Sequence, residues 1–456
     1  MCRTIRDAVA AAGLTVCLAC AHLPAATPTA PPPDELARTW DAEHVSSPIS
    51  PLVTHAEVVD RLARLPRTDD GGLFTVREVG RSVEGRPISM VSFGAGPFPV
   101  LLWSQMHGDE PTATSALFDL YEYVSRHRDI PVVRTMLEAL TVHTVPMLNP
   151  DGAERWQRRN TQGLDVNRDA LLLQSPEGQL LKRLRDELEP RVGFNLHNQN
   201  WSTTAGRPPM PAAISLLSVA YDEARSVSEG RMLTKRLGAV VRDALEPLAP
   251  GRIGRYDDGF EVRAFGDNIT LWGTPVLLIE TGPWPTLNPD PPLVRINFVA
   301  LVAALSALAD GSVHRADPAR YDSLPENESR GFYYLVRNVT IRAGRGVPPF
   351  VGDVGIGGTR RVRVNDDARE VFVSLSVSDL GDLRTHVGLF EVDGTGKVLA
   401  PAIAGLDVGA TISADTLDGA QVTLQTGSPA NLMLLVPIEG AYRVERLIVA
   451  TVPIRD

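Results

Sequence analysis

The sequence predicts an α/β fold followed by a β-rich region, and three observations carry that reading. Between about Pro51 and Leu308, short apolar runs alternate with longer amphipathic stretches, the pattern of strands and helices laid down in turn. After roughly His314 the helical periodicity vanishes, and β-prone runs follow one another across Gly, Asp and Pro turns. His107, His197 and Glu280, finally, each stand just past or at the end of an apolar run, where open α/β sheets place their functional groups.

Taken in order, the chain opens with Arg3 and Arg6, the apolar stretch Ala8 to Leu18 and the small residues Ala19-Cys20-Ala21. This is the order of a secretory leader over residues 1–21, too short for a comfortable membrane span. A secreted or periplasmic protein is expected, with no transmembrane segment in its mature form. A lipoprotein acylated at Cys20 is the competing expectation, and Cys17 counts against it by standing where an aliphatic residue is expected. All three cysteines lie in this leader, so neither disulfides nor a thiol nucleophile are expected in the mature chain. Residues 22–45, rich in Pro and Ala, are expected to form a linker.

Residues 46–312 hold the alternating pattern. Ser89 to Phe93, Val100 to Ser104, Leu140 to Leu148 and Val276 to Glu280 read as strands. Ala113 to His127, Pro176 to Leu188, Val219 to Ala244 and Val294 to Ala309 read as helices, so helices are expected on both faces of the sheet. Residues 325–456 read as a β-sandwich built from runs such as Gly331 to Arg342 and Asn431 to Val436, with Asp393-Gly394 and Asp418-Gly419 as hairpin turns. The partner of this region is open, and its one histidine, His386, carries no visible chemistry. A formal net charge of -10 gives no support for nucleic-acid binding, and no basic run marks a membrane-surface patch.

The polar groups at the strand ends have the chemistry of a metal centre. A catalytic zinc takes three nitrogen or oxygen ligands and keeps one position open. His107 and Glu110 in His107-Gly108-Asp109-Glu110 can meet one ion if the segment turns helically, since positions three apart share a face. His197 supplies a third ligand from a distant strand. Glu280 remains as a carboxylate for proton transfer. His143, in the apolar run before Asn149, reads as structural.

Several separated motifs then agree in order with one family. Gly80-Arg81-Ser82-Val83-Glu84-Gly85-Arg86-Pro87-Ile88, the ligand motif, Asn149-Pro150-Asp151-Gly152, Arg158-Arg159-Asn160 and Gly163-Leu164-Asp165-Val166-Asn167-Arg168 together resemble the zinc carboxypeptidases of the funnelin type. The likeness runs from roughly Thr54 to Ala309. It implies a mixed, largely parallel eight-stranded sheet flanked by helices, and one zinc ion per chain held by His107, Glu110 and His197. Glu280 resembles the general base acting on a zinc-activated water, and Arg158 the guanidinium that stabilises the developing oxyanion. Asn167 and Arg168 resemble the pair that grips a substrate's terminal carboxylate, a task suited to the arginine fork. Asp165 resembles the carboxylate that orients the His107 ring, and Tyr256 is the nearest candidate for a substrate-capping tyrosine. A side chain setting specificity is expected between Phe260 and Thr270, with Phe265, Asp267 and Asn268 as candidates. Asp169 places a second charge beside the anchor, free to pair with Arg168 or to tune specificity.

The resemblance implies hydrolysis of C-terminal peptide bonds in peptides with a free carboxylate. An amidase acting on peptidoglycan stem peptides or another small acyl conjugate would use the same groups. A non-catalytic binding protein on the same fold is disfavoured, because neither a ligand nor the base is missing.

Overall fold

The structure, a computed structural model, describes residues 31–46, 54–344, 346–365, 368–419 and 423–454. The expected leader and its three cysteines lie outside the described residues. The first half of the sheet comprises β1 (Thr75–Arg81), β2 (Pro87–Phe93), β3 (Phe98–Ser104), β4 (Leu140–Val145) and β5 (Val192–Asn198). Two short strands follow, β6 (Thr203–Ala205) and β7 (Met210–Pro211), and then β8 (Ile214–Ser218), β9 (Ile253–Arg255) and β10 (Val276–Thr281). Eight of them join in the order β1-β2-β4-β3-β5-β10-β8-β9. Its centre, β4-β3-β5-β10, is wholly parallel, while β1, β2 and β8 add antiparallel pairings. The mixed, largely parallel sheet implied by the motifs is therefore present.

Alternation along the central strands explains the helices on both sides. Val100 and Leu102 of β3 face one core together with Phe194, Leu277 and Ile279. Leu101 and Trp103 face the other core with Val276 and Leu278. Helices α1 (Pro33–Glu43), α2 (His55–Ala63), α3 (Thr112–Arg126) and α4 (Pro131–Ala139) cover the first side. The short α5 (Pro150–Arg155) precedes α6 (Pro176–Leu188), which covers the second side. Helix α7 (Glu229–Leu245) returns to the first side, α8 (Phe265–Leu271) to the second, and α9 (Asp290–Ala309) closes the first. Helix α9 is long and apolar enough to cross a membrane, but 83% of its apolar stretch is buried inside the protein. It is the core helix against which α1, α3, α4 and α7 pack.

Three sequence expectations need correction. The linker expected over residues 22–45 is helical from Pro33 to Glu43. Leu36, Ala37 and Trp40 share one buried face there, and the Trp40 indole donates to Asp119 Oδ2 at 2.7 Å. The helix expected from Val219 begins only at Glu229, where Ser228 accepts the Arg231 amide as its cap; Val219 instead fills the second core beyond β8. Asp393-Gly394 and Asp418-Gly419 do not turn hairpins. The first joins β15 (Val387–Asp393) to β16 (Val398–Pro401), which lie successively beside the same strand, β12 (Gly331–Ile341). The second ends the short helix Ala414–Gly419.

The carboxy-terminal region is β-rich as expected. A small sheet ties it to the first region, with β11 (Glu328–Ser329) beside β6. Beyond β12 run β13 (Phe350–Asn365) and β14 (Ala368–Gly381), then β15 and β16 as above. Strands β17 (Thr411–Ser413), β18 (Leu432–Ile438), β19 (Ala441–Ile448) and β20 (Thr451–Pro453) complete a nine-stranded sheet, in which eight strands follow one path and β15 branches from β12. Residues 319–324 belong to the first region, where Tyr321 is buried against α7 and its hydroxyl accepts the Ser218 amide at 2.8 Å.

Candidate metal centre

The loop leaving β3 carries the first two ligands, and its shape depends on groups outside the motif. Gln105 adopts a left-handed φ of 46° and is buried; its amide donates to the Gly108 carbonyl at 3.0 Å and its oxygen accepts Thr114 Oγ1 at 2.8 Å. Gly108 is required by close approach, since a Cβ there would stand 2.0 Å from the Gly152 carbonyl carbon. Asn149 caps α5 by accepting the Gly152 amide at 2.9 Å and donates to the Met106 carbonyl at 3.3 Å. Asp151 accepts Ser82 Oγ at 2.7 Å and Arg86 Nη1 at 2.6 Å. The β1-β2 hairpin motif and the Asn-Pro-Asp-Gly motif are thus one scaffold holding the ligand loop.

His107, Glu110 and His197 are brought together by this scaffold, with potential ligand atoms all within 4.8 Å of one another. His107 Nδ1 lies 2.9 Å from Glu110 Oε1, and His197 Nδ1 lies 2.7 Å from Glu110 Oε2. The two Nδ1 atoms are 3.1 Å apart. Two imidazole nitrogens and a carboxylate, buried and turned to one point, are a donor set that fits zinc. They form one group of this kind among the described residues. Asp165 Oδ1 lies 3.0 Å from His107 Nε2, which leaves Nδ1 directed at the centre.

Glu280 stands beside His197 in the parallel register of β10 and β5. It is buried, and its Oε2 has no hydrogen-bond partner among the described residues. Burial and the nearby Glu110 carboxylate push its pKa up to about 8. For His107, burial acts downward, but the Glu110 charge and the Asp165 hydrogen bond outweigh it and raise the pKa to about 9. His197 goes the other way, with burial prevailing over Glu110. Asp109, half-buried, is raised to about 6, by desolvation first and then by Glu110.

Arg158 turns toward the centre and Arg159 away from it. Arg158 Nε donates to Asp165 Oδ2 at 3.0 Å, while Nη1 lies 3.2 Å from Glu110 Oε1 and 3.0 Å from His107 Nδ1. Arg159 is exposed and donates to the Gly163 carbonyl. Asn167 accepts the Phe265 amide at 2.9 Å through its side chain. Arg168, about one-third exposed, donates to the Asn167 carbonyl at 2.7 Å and lies 3.4 Å from Glu261. Asp169 does not pair with Arg168; it accepts the Gln174 and Ser175 amides at 2.8 and 2.7 Å. Tyr256 is an exposed side chain just beyond β9. Desolvation raises its phenol pKa first, and the charges acting on it include Glu280, Glu110, Arg158 and Arg168.

Of the candidates between Phe260 and Thr270, Asn268 donates to the Val262 and Ala264 carbonyls of its own turn. Asp267 is buried near Arg168 and accepts the Glu261 amide at 2.9 Å. His143 lies away from the centre, 2.8 Å from Ser92 Oγ. Sequence reasoning missed Gln105 and Asn198. Asn198 donates its amide to Glu110 Oε2 at 3.1 Å and its side chain to Thr112 Oγ1 at 2.7 Å. Its place one residue after a ligand was the available signal, whereas nothing in sequence marks Gln105 as left-handed.

Residues 61–205 match the zinc carboxypeptidase family. A Carboxypeptidase E from Caenorhabditis elegans is 33% identical over 119 residues, covering 21% of this chain and 25% of that protein. Carboxypeptidase M from Mus musculus is 26% identical over 132 residues, covering 25% and 30%. The chain thus spans about a quarter of the length of these curated relatives. Among solved structures, a metallo-carboxypeptidase from Burkholderia cenocepacia overlaps 56% of this chain and 69% of its own, with a TM-score of 0.45 and 20% identity.

Proposed function

We propose that this chain, whose residues 61–205 match the zinc carboxypeptidase family, removes carboxy-terminal residues from peptides ending in a free carboxylate. The observation that carries the reading is the convergence of His107, Glu110 and His197 beside the buried Glu280. These three residues would hold the zinc. When bound, zinc acts as a Lewis acid and lowers the pKa of water to about 7.

The remaining steps belong to this chain's own side chains. Glu280 takes the proton of the attacking water and returns it to the leaving nitrogen, a role open to a buried carboxyl group standing beside the ligand His197. The Arg158 guanidinium donates to the oxyanion that develops on the scissile carbonyl, a contribution of roughly 10²- to 10³-fold for one such donor. Asp165 holds both Arg158 and the His107 ring in place. Arg168 and Asn167 receive the terminal carboxylate, which sets the register of cleavage, and the Tyr256 hydroxyl closes over the substrate.

The test is incubation of the zinc-loaded protein with matched peptides ending in a carboxylate or an amide, together with peptidoglycan stem peptides, followed by mass spectrometry. Stepwise loss of single terminal residues from the carboxylate series supports the reading. Release confined to stem peptides would replace it with the amidase, and internal cleavage would overturn the anchor assignment.

A further inference from the structure

We propose that the carboxy-terminal β region completes the binding surface for the part of the substrate chain upstream of the scissile bond. The proposal rests on the peptidase reading above and adds a second wall to its site. A cleft of about 550 Å³ opens beside the metal centre. One wall contains Glu110, Trp156 and the segments that follow His197 and Glu280, namely 198–202 and 281–283. The opposite wall comes from the β region, through Phe332, Thr359, Ser378, Asp379 and His386.

The direction of the chain follows from what the cleft lacks. Asn167, Arg168 and Tyr256 are not among its lining residues, whereas the ligand Glu110 is. A peptide whose terminal carboxylate sits on Arg168 and whose scissile bond lies at the ligands must leave the centre on another side. The cleft offers that exit, and its far wall is the β region.

This wall is held in place. Arg360 of β13 crosses to Asp290 at the start of α9, Nη2 to Oδ1 at 2.8 Å, with both side chains largely buried. The same guanidinium lies over the Trp201 ring at 5.9 Å, and Trp201 meets Tyr333 edge-on at 5.3 Å. The backbone joins the regions as well, since the Gly331 amide donates to the Ser202 carbonyl at 2.9 Å.

Charge gives the surface a preference. Asp290 and Arg360 neutralise one another, and Glu110 and the half-buried Asp109 belong to the wall of the ligand loop, which leaves Asp379 as the exposed acid of the β wall. Asp379 forms no ion pair among the described residues, and its Oδ1 accepts the neighbouring Leu380 amide at 2.8 Å. The upstream ligand this wall fits is an extended peptide of several residues carrying a basic side chain.

The test uses the full zinc-loaded chain and the exposed substitution Asp379→Lys. Substrates are an acylated dipeptide, a heptapeptide with upstream lysines and its glutamate counterpart. The kcat/KM ratio of lysine heptapeptide to dipeptide should fall roughly threefold to tenfold in the variant, the scale of reversing one exposed charge, and the ratio for the glutamate peptide should rise. A ratio that stays constant for both peptides would overturn the proposal. Binding of the fluorescent lysine heptapeptide to Glu280→Gln protein, with and without Asp379→Lys, provides a readout free of turnover. Weaker binding on charge reversal supports the second wall even if no peptide is cleaved, a result that would sink the peptidase reading alone; equal binding overturns the second wall whether or not peptides are cleaved.

Discussion

Arg168 Nε lies 3.4 Å from the Glu261 carboxylate, so the proposed anchor for a substrate's terminal carboxylate already faces a carboxylate of its own protein. Both side chains are about one-third exposed, and such a pair contributes only about 0.2–1 kcal/mol. Glu261 therefore competes weakly with substrate. Glu261→Gln should lower KM for carboxylate-terminated peptides by roughly 1.5- to 5-fold and leave amidated peptides where they were. Arg168→Ala should raise KM for the carboxylate series selectively. Steady-state kinetics on the two series decides, and equal effects on both would show that the anchor lies elsewhere.

Glu280 and the ligand Glu110 are both buried carboxyls at one centre, and their separate roles predict different losses. Glu280 is raised to about 8 by burial and by Glu110, whereas Glu110 is drawn well below its usual range by His107 and His197 despite burial. Glu280→Gln should keep full zinc content by elemental analysis while kcat falls roughly 10²- to 10⁴-fold. Glu110→Gln should lose zinc itself. Turnover surviving in Glu280→Gln would remove Glu280 from the chemistry.

Why these residues were readable from the chain is a matter of covalent locality. His107 and Glu110 sit three apart, and Asp165, Asn167 and Arg168 are close neighbours, so their shared chemistry shows in one short window. The buried face of each central strand was visible through alternation, as with Leu101 and Trp103 against Val100 and Leu102. What stayed hidden depends on contacts between distant segments. Gly108 meets Gly152 across the ligand loop, and Arg360 reaches Asp290 from another region. His386, which shows no chemistry in the sequence, borders the cleft for the same reason. The helix Pro33–Glu43 was masked by the Pro-rich run before it, although Leu36 and Trp40 carry the helical spacing.

Asp165 serves three partners at once: His107 Nε2 at 3.0 Å, Arg158 Nε at 3.0 Å and the Asn167 amide at 3.0 Å. Removing it frees the His107 ring and unties Arg158 together. Asp165→Ala should weaken zinc binding roughly 10- to 100-fold, measured by competition with a chelating dye. At saturating zinc kcat should remain depressed, because Arg158 has lost its guide. Recovery of full kcat on adding zinc would confine Asp165 to ligand orientation.

Asp267 gives a pH dependence separate from the metal centre. Burial raises its carboxyl pKa from 3.8 to about 6, with the Glu261 and Asp267 backbone hydrogen bonds opposing the shift and Arg168 nearby. A carboxyl raised on folding binds its proton more tightly in the native state than in the unfolded one, so the native state gains stability from it below the unfolded pKa. That gain is lost as pH rises through about 6, because the buried group must then ionise. Asp267→Asn keeps an oxygen for the Glu261 amide and removes the ionisation. The variant should match the parent near pH 4 and exceed it at pH 7 by on the order of 1 kcal/mol, read from urea unfolding at the two values. A parent protein whose stability relative to the variant is flat between these values would show that Asp267 ionises without cost.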